Sequence, residues 1–293
     1  MSPTFSVIIP LYNKGRYIDA TLASVTAQTF ADMEVIVIDD GSTDDGPARV
    51  ATHASADTRL RLLRQPNGGV SAARNAGLRA ARGEWVAFLD ADDTWMPTYL
   101  AEMHALARRH PEAGLCACAR QGRRIPTLPE ECVVSDAAAW GVIYWTGTTM
   151  ARRTLFATAG LFREGISRGE DRDMWLRLGL HAPTAFLNRE LARYEEHAAG
   201  SLTDLVPLCH EFPYWEWYDL PRRYPTLRHI NPALPATYRD SIRRYATNQL
   251  MQLANAHFRA GHRKDALRVL LRCRGMSDMR ARLQLLRRIL TQW

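Results

Sequence analysis

Short, continuous apolar runs rich in β-branched residues recur at 5–10, 34–38, 60–64, 85–89 and 114–119. Between them lie stretches with helical periodicity at about 15–28, 44–54, 70–81 and 98–109. This alternation, repeating every 25–30 residues or so, constrains the fold more than any other feature: strands that return through helices build a parallel, layered α/β sheet. Runs that are apolar throughout, not at every second residue, imply that both faces of the sheet are covered. Ligands of such sheets bind beyond the carboxyl ends of the strands. The residues that follow each run therefore carry most of the functional information.

The first run leads into Pro10-Leu11-Tyr12-Asn13, with none of the glycines of a dinucleotide fingerprint, which weighs against a nicotinamide-binding domain. The second leads into Asp39-Asp40-Gly41-Ser42 and the fourth into Asp90-Ala91-Asp92-Asp93. Carboxylates crowded on one rim repel and raise one another's pKa, and a hard divalent cation holds them ionised. Asp90 and Asp92 are two apart at a strand exit, so both side chains point the same way in extended geometry. Such a pair suits Mg²⁺ or Mn²⁺ shared with substrate phosphates; the competing reading is a solvated acidic turn with Asp93 capping the next helix. Before the fourth run, Asn67-Gly68-Gly69 forms a turn that feeds a helix. Its backbone N–H groups are expected to face an anion, with Arg74 in reach of a phosphate or a base, unless Arg74 is an ordinary surface residue. Farther on, Glu170, Asp171 and Asp173 open a helix with a Trp175, Leu176 and Leu178 stripe, where acids also complement the helix dipole.

The net charge of +7 is unevenly distributed. Residues 222–293 hold 16 of the 38 Lys and Arg but 3 of the 31 Asp and Glu, so a basic tail follows an acidic body. No recognised nucleic-acid motif accompanies the arginines, and no nucleic-acid partner is expected. The five scattered cysteines argue against a disulfide framework and fit buried thiols in a reducing compartment. No apolar stretch approaches the roughly 20 residues of a membrane span, and no leader pattern opens the chain, so a cytoplasmic protein is expected.

Taken in order, Val7-Ile8-Ile9-Pro10-Leu11-Tyr12-Asn13-Lys14, Val35-Ile36-Val37-Ile38-Asp39-Asp40-Gly41-Ser42-Thr43-Asp44, residues 67–77 and Phe88-Leu89-Asp90-Ala91-Asp92-Asp93 resemble the motifs of family 2 glycosyltransferases with the GT-A fold. Arg168-Gly169-Glu170-Asp171-Arg172-Asp173 resembles that family's Glu-Asp motif, and the segment around His197 its closing His-containing segment. The resemblance covers about residues 4–203. It implies an α/β, GT-A-type, mostly parallel sheet flanked by helices, with a small helical C-terminal extension: a catalytic domain at 1–205 and a basic, mainly helical region at 206–293.

The resemblance also implies roles. Pro10 and Tyr12 would line the base pocket and Asp40 would accept a hydrogen bond from the base. Arg74 would contact base or diphosphate. Asp90 would lie near ribose and metal, Asp92 would ligate an Mg²⁺ or Mn²⁺ ion, and His197 would approach that metal or the diphosphate. Asp171 would be the catalytic base, with Glu170 supporting the acceptor side. Glu195 stands where the family usually has an arginine, so no phosphate contact is carried over to that position. The implied reaction inverts the sugar of a nucleotide-diphosphate donor, UDP-linked by preference, on a glycan or lipid-linked acceptor in glycan or surface polysaccharide synthesis. A catalytically silent nucleotide-sugar-binding or scaffold protein is the alternative. In the tail, Met279, Leu283, Leu286, Leu290 and Trp293 form one helical stripe flanked by arginines. That stripe either packs on neighbouring helices or makes a peripheral contact with the inner face of an anionic membrane.

Overall fold

The computed structural model describes residues 2–134, 143–165, 169–195, 250–251, 253–255, 257–259, 261–272 and 283–287. The chain divides into two compact units, one of residues 1–135 and 142–200, the other of 136–141 and 201–293.

In the first unit, β1 (Phe5–Leu11), β2 (Met33–Asp39), β3 (Leu60–Arg64) and β4 (Trp85–Phe88) alternate with α1 (Gly15–Thr26), α2 (Gly46–Ala56) and α3 (Val70–Ala80). All three pairings among these strands are parallel, in the spatial order β3-β2-β1-β4. Val7 lies opposite Val35 on one side and Ala87 on the other, and β1, β2 and β4 are buried almost throughout. That double burial is why these strands read as unbroken apolar runs. Helix α3 passes so close over β1 that a Cβ on Gly77 would strike the Ile8 side chain. A larger residue at 77 would push the helix off the sheet.

Beyond β4 the sheet becomes mixed. Helix α4 (Tyr99–Arg109) leads to β6 (Leu115–Arg120), and β8 (Thr149–Arg152) inserts antiparallel between β4 and β6. The long β9 (Thr184–Arg193) runs parallel to β6 and pairs antiparallel with β5 (Thr94–Trp95) and β7 (Glu131–Val134). A register shift opposite Cys118 and Ala119 leaves buried Asn188 to clamp the preceding loop, accepting from the Ile125 N–H at 2.9 Å and donating to the Ile125 and Leu128 carbonyls. Helix α5 (Leu155–Ala159) precedes α6 (Glu170–Gly179), whose fully buried Trp175 meets Phe88, Phe162 and Tyr144 edge-on or tilted. Cys116 and Cys118 are buried in β6, as expected, and burial pushes the Cys116 thiol up to about 12.

The strand order reverses between β1, reached first, and β4, reached last. Such a reversal opens a crevice above the carboxyl ends of the two strands. In the second unit, helical residues at 257–259 precede α7 (Arg263–Arg272). Of the tail stripe, Leu283 is exposed and Leu286 half-buried, whereas the buried leucine of that turn is Leu285, off the stripe. His197 and the other stripe residues lie outside the described residues, as does the aromatic-rich segment at 211–221. Among the described residues no helix is long and apolar enough to cross a membrane.

Candidate active site

Past Phe88 the chain stays in the sheet for one residue, the Leu89 N–H donating to the Ile8 carbonyl at 3.1 Å. It then turns tightly, with the Asp93 N–H returning to the Asp90 carbonyl at 3.0 Å. Three acids are thereby brought to the crevice at different depths. The Asp90 side chain is about a third exposed, that of Asp92 is mostly covered, and Asp93 is buried. Burial and the neighbouring Asp90 raise the Asp92 pKa against the pull of Lys14, whose Nζ lies 2.7 Å from Asp92 Oδ2. Asp93 is raised further, by burial and then by Asp90 and Asp92. It does not cap α4; its carboxylate accepts the Glu195 N–H at 3.1 Å, tying the end of β9 to the turn.

The glycine turn differs from the expectation. The N–H groups of Gly68 and Gly69 donate to Asp40 Oδ1 and Oδ2 at 2.9 and 2.8 Å, and Gln65 Nε2 donates to Oδ1 at 2.7 Å. The anion cradled by these two N–H groups is the protein's own Asp40, which is buried. Sequence alone named both partners but paired neither with the other, because an anion-binding turn has the same pattern whichever anion fills it.

Arg74 is brought to the rim but is buried, not open to a ligand. Its Nη2 donates to Asp90 at 2.9 Å and its Nη1 to Glu170 at 2.7 Å, with Phe162 beneath the guanidinium. Burial opposes its charge, yet Asp90, Glu170 and Asp171 together hold its pKa above the ordinary arginine value. Glu170 in turn is raised by burial and by Asp171, against the attraction of Arg74. One arginine thus joins the exit of β4 to the start of α6.

The three acids of α6 separate cleanly. Asp173 is fully buried and paired with Arg177 at 2.9 Å and Arg163 at 3.5 Å. Glu170 is buried on Arg74. Asp171 alone of the three is partly exposed; it accepts the Thr146 hydroxyl at 3.2 Å and the Arg172 N–H at 2.7 Å. A helix-dipole role fits all three equally, but only Asp171 also presents its carboxylate to solvent.

Pro10 is half-buried and the Tyr12 ring is 49% exposed at the mouth of the crevice. Asn13 follows in the left-handed region at φ 53°, which asparagine tolerates, and its amide oxygen accepts the Thr43 N–H at 2.8 Å. This bond locks the exit of β1 to that of β2. The Gly147 carbonyl accepts the Trp95 indole N–H at 2.6 Å, and a Cβ on Gly147 would make only ordinary contacts, so its small size is not required there. Sequence reasoning gave no role to Lys14 or Thr146 and read Asp93 only as a helix cap. Lys14 closes a recognised motif, whereas Thr146 reaches Asp171 through a fold that brings β8 beside β4.

Residues 6–129 match the family model described as Glycosyl transferase family 2. The chain is 41% identical over 223 residues to the uncharacterized glycosyltransferase EpsJ of Bacillus subtilis, a match covering 70% of this chain and 64% of EpsJ. It spans between 33% and 64% of the length of the first curated relatives that it matches. Two solved structures share the fold. One is Staphylococcus aureus TarS 1–349 in complex with UDP-GlcNAc, with a TM-score of 0.65 and 23% identity over 88% of this chain and 73% of that one. The other is the Pyrobaculum calidifontis mannosyltransferase PcManGT in complex with GDP-Man and Mn²⁺, with a TM-score of 0.62 and 20% identity over 100% of this chain and 81% of that one.

Proposed function

From the premise that the chain belongs to glycosyl transferase family 2, we propose that it moves a sugar from a nucleotide-diphosphate donor to an acceptor hydroxyl with inversion at the anomeric carbon. The observation that carries this reading is the Arg74 bridge. It joins Asp90, on the donor side, to Glu170, next to Asp171, so two sets of carboxylates distant in sequence belong to one site. A silent binding protein would have no use for a partly open carboxylate held at that seam.

The rim residues fit a divalent cation. Hard carboxylate oxygens are the donors that Mg²⁺ and Mn²⁺ take, and burial and then Asp90 raise the Asp92 pKa against the pull of Lys14, a cost that a bound cation would offset. Asp90 and Asp92 would hold the ion. Among the described residues no three rim acids bring ligand atoms within 4.8 Å of one another, so oxygens of the donor diphosphate would complete the shell. When bound, the ion supplies charge stabilisation to the departing diphosphate. The Mn²⁺ in the PcManGT structure supports this choice of cofactor.

Asp171 takes the proton of the attacking hydroxyl as general base, with its carboxylate oriented by Thr146. Arg74 fixes Glu170 and Asp90 beside it through its two guanidinium hydrogen bonds. A single displacement with a single base inverts; a second carboxylate placed as nucleophile would be needed for retention. Tyr12 and Pro10 face the base, and Asp40 shapes that pocket through the turn it holds. UDP-sugars are the first donors to test, since TarS was solved with UDP-GlcNAc, with GDP-sugars second. A glycan or lipid-linked acceptor is proposed at the family level, together with a peripheral membrane contact by the tail, where Leu283 is exposed.

The test is a donor screen for nucleotide release with Mg²⁺ or Mn²⁺. Release that requires a nucleotide-diphosphate sugar and rises with acceptor supports the reading. Binding without turnover across all donors and acceptor extracts favours the silent protein.

A further inference from the structure

The second unit contains a cluster that the transfer reaction does not use. His257, His262 and Asp265 each offer one ligand atom, and these atoms lie within 4.8 Å of one another. We propose that they form a binding site for a divalent transition ion of the zinc class, which fastens the turn between two tail helices.

The backbone places the three side chains. The first helix ends in a reversal at Gly261, whose φ of +81° is open to glycine at little strain. The Gly261 N–H donates to the Phe258 carbonyl at 3.1 Å and the His262 N–H to the His257 carbonyl at 2.9 Å. This is a double closure of the kind that caps helices ending in a left-handed glycine. It folds His262 back over His257, and their ring centroids lie 6.2 Å apart. The Ala266 N–H then donates to the His262 carbonyl at 3.1 Å, so α7 starts there and Asp265 falls in its first turn. The spacing H-x₄-H-x₂-D therefore converges because of the turn; on a continuous helix, residues five apart would diverge.

The donor set selects the ion. Two imidazoles and one carboxylate match the ligands of three-residue zinc sites, which leave one position for water, and do not match the all-oxygen shells of Mg²⁺ or Ca²⁺. Bonds of about 2.0 Å to a tetrahedral ion put donors about 3.3 Å apart, so side-chain rotation alone closes the cluster. His257 is buried, so a ligand bond there is shielded from water. Asp265 also meets Arg268 at 2.9 Å, but the Arg268 side chain is 78% exposed, and an exposed pair of this kind holds its carboxylate weakly. An ion bound here would stabilise the folded tail by mass action.

The experiment uses the full-length chain stripped with chelator and titrated with Zn²⁺ or Co²⁺ alone. His262→Ala and Asp265→Asn alter exposed or half-exposed positions and keep the fold testable, and Asp92→Asn controls for the catalytic rim. Expected are one Zn²⁺ bound with a rise in Tm, and a visible Co²⁺ spectrum of a four- or five-coordinate site that persists in Asp92→Asn. His262→Ala and Asp265→Asn should each weaken binding at least about tenfold and abolish the Tm shift, with Mg²⁺- or Mn²⁺-supported turnover unchanged. No Co²⁺ spectrum in the wild type, or equal affinity in His262→Ala, overturns the proposal.

Discussion

Two buried carboxylates at opposite ends of the same sheet have opposite fates. Glu34, near the amino end of β2, and Asp93, past the carboxyl end of β4, are 4% and 2% exposed. Burial alone would raise both. Around Glu34 it is more than offset: Ser6 donates at 2.7 Å, the Arg82 N–H at 2.7 Å and Arg61 at 3.0 Å, and its pKa is held below the ordinary value. Around Asp93 the neighbours are Asp90 and Asp92, and its pKa is driven well up. The amino end of the sheet is electrostatically finished, whereas the carboxyl end carries surplus negative charge that a cationic ligand can relieve. Strain of this kind persists where function requires it.

The sharpest way to break the comparison is to remove a carboxylate from each end. Asp171→Asn is expected to lower transfer by about 10²–10⁴-fold while leaving donor affinity near wild type. Calorimetry for the donor and turnover on the same preparation separate the two, and full turnover in the variant would remove Asp171 from the chemistry. Glu34→Ala should do the reverse. It leaves the Ser6 hydroxyl without its acceptor and the Arg82 N–H with only its longer bond to Ser6 Oγ at 3.1 Å, and is expected to destabilise the fold by about 2 kcal/mol in urea unfolding, discounted because Arg61 and Arg82 are partly exposed. Turnover of the folded fraction should stay within about twofold, since the change lies at the far end of the sheet.

The same two ends differ in how much could be read from the sequence. The parallel half was legible because each strand is buried on both faces and each helix runs between two such strands; β1 to β4 and α1 to α4 fall within a few residues of their expected places. Strands β5, β7, β8 and β9 were not expected. They are short or half-polar, and antiparallel pairing brings together residues far apart, as Ala87 meets Met150. At the site, the acids could be named because motifs are contiguous. Their partners could not: Arg74 reaches Glu170 across 96 positions, and only the fold brings them within 2.7 Å. The glycine turn was misassigned for the same reason, its two N–H groups being taken by Asp40 from another strand.

A smaller effect tests the sign of the electrostatics directly. The Asp93 pKa is higher folded than unfolded, so between those values the native state binds more protons. Its contribution to stability is therefore present at low pH and lost as pH rises through the folded pKa. Glu34 runs the other way, its contribution present above its unfolded pKa and lost as pH falls through the lowered folded one. Asp93→Asn keeps an acceptor for the Glu195 N–H and removes the charge. Relative to wild type it should gain stability as the pH is raised from about 4 to about 8, read from urea midpoints at each pH. A difference that shrinks as pH rises would mean that Asp93 is compensated after all.

The mildest change probes how firmly the Asp171 carboxylate is aimed. Thr146 belongs to the short turn before β8 and donates to Asp171 at 3.2 Å, near the long end of hydroxyl bonds. Asp171 also accepts the Arg172 N–H at 2.7 Å, so the carboxylate keeps one tether when the hydroxyl is removed. Thr146→Val preserves the β-branched shape in a buried position, which confines the change to the loss of one hydrogen bond. Turnover is expected to fall about threefold, matching a bond worth roughly 0.5–1 kcal/mol, with the donor KM unchanged because Thr146 holds Asp171, the proposed base. Rescue by Thr146→Ser, which restores the hydroxyl without the methyl group, would assign the loss to orientation. If Thr146→Val instead raises the donor KM and leaves kcat intact, the hydroxyl serves the donor pocket and Asp171 is aimed by its backbone tether alone.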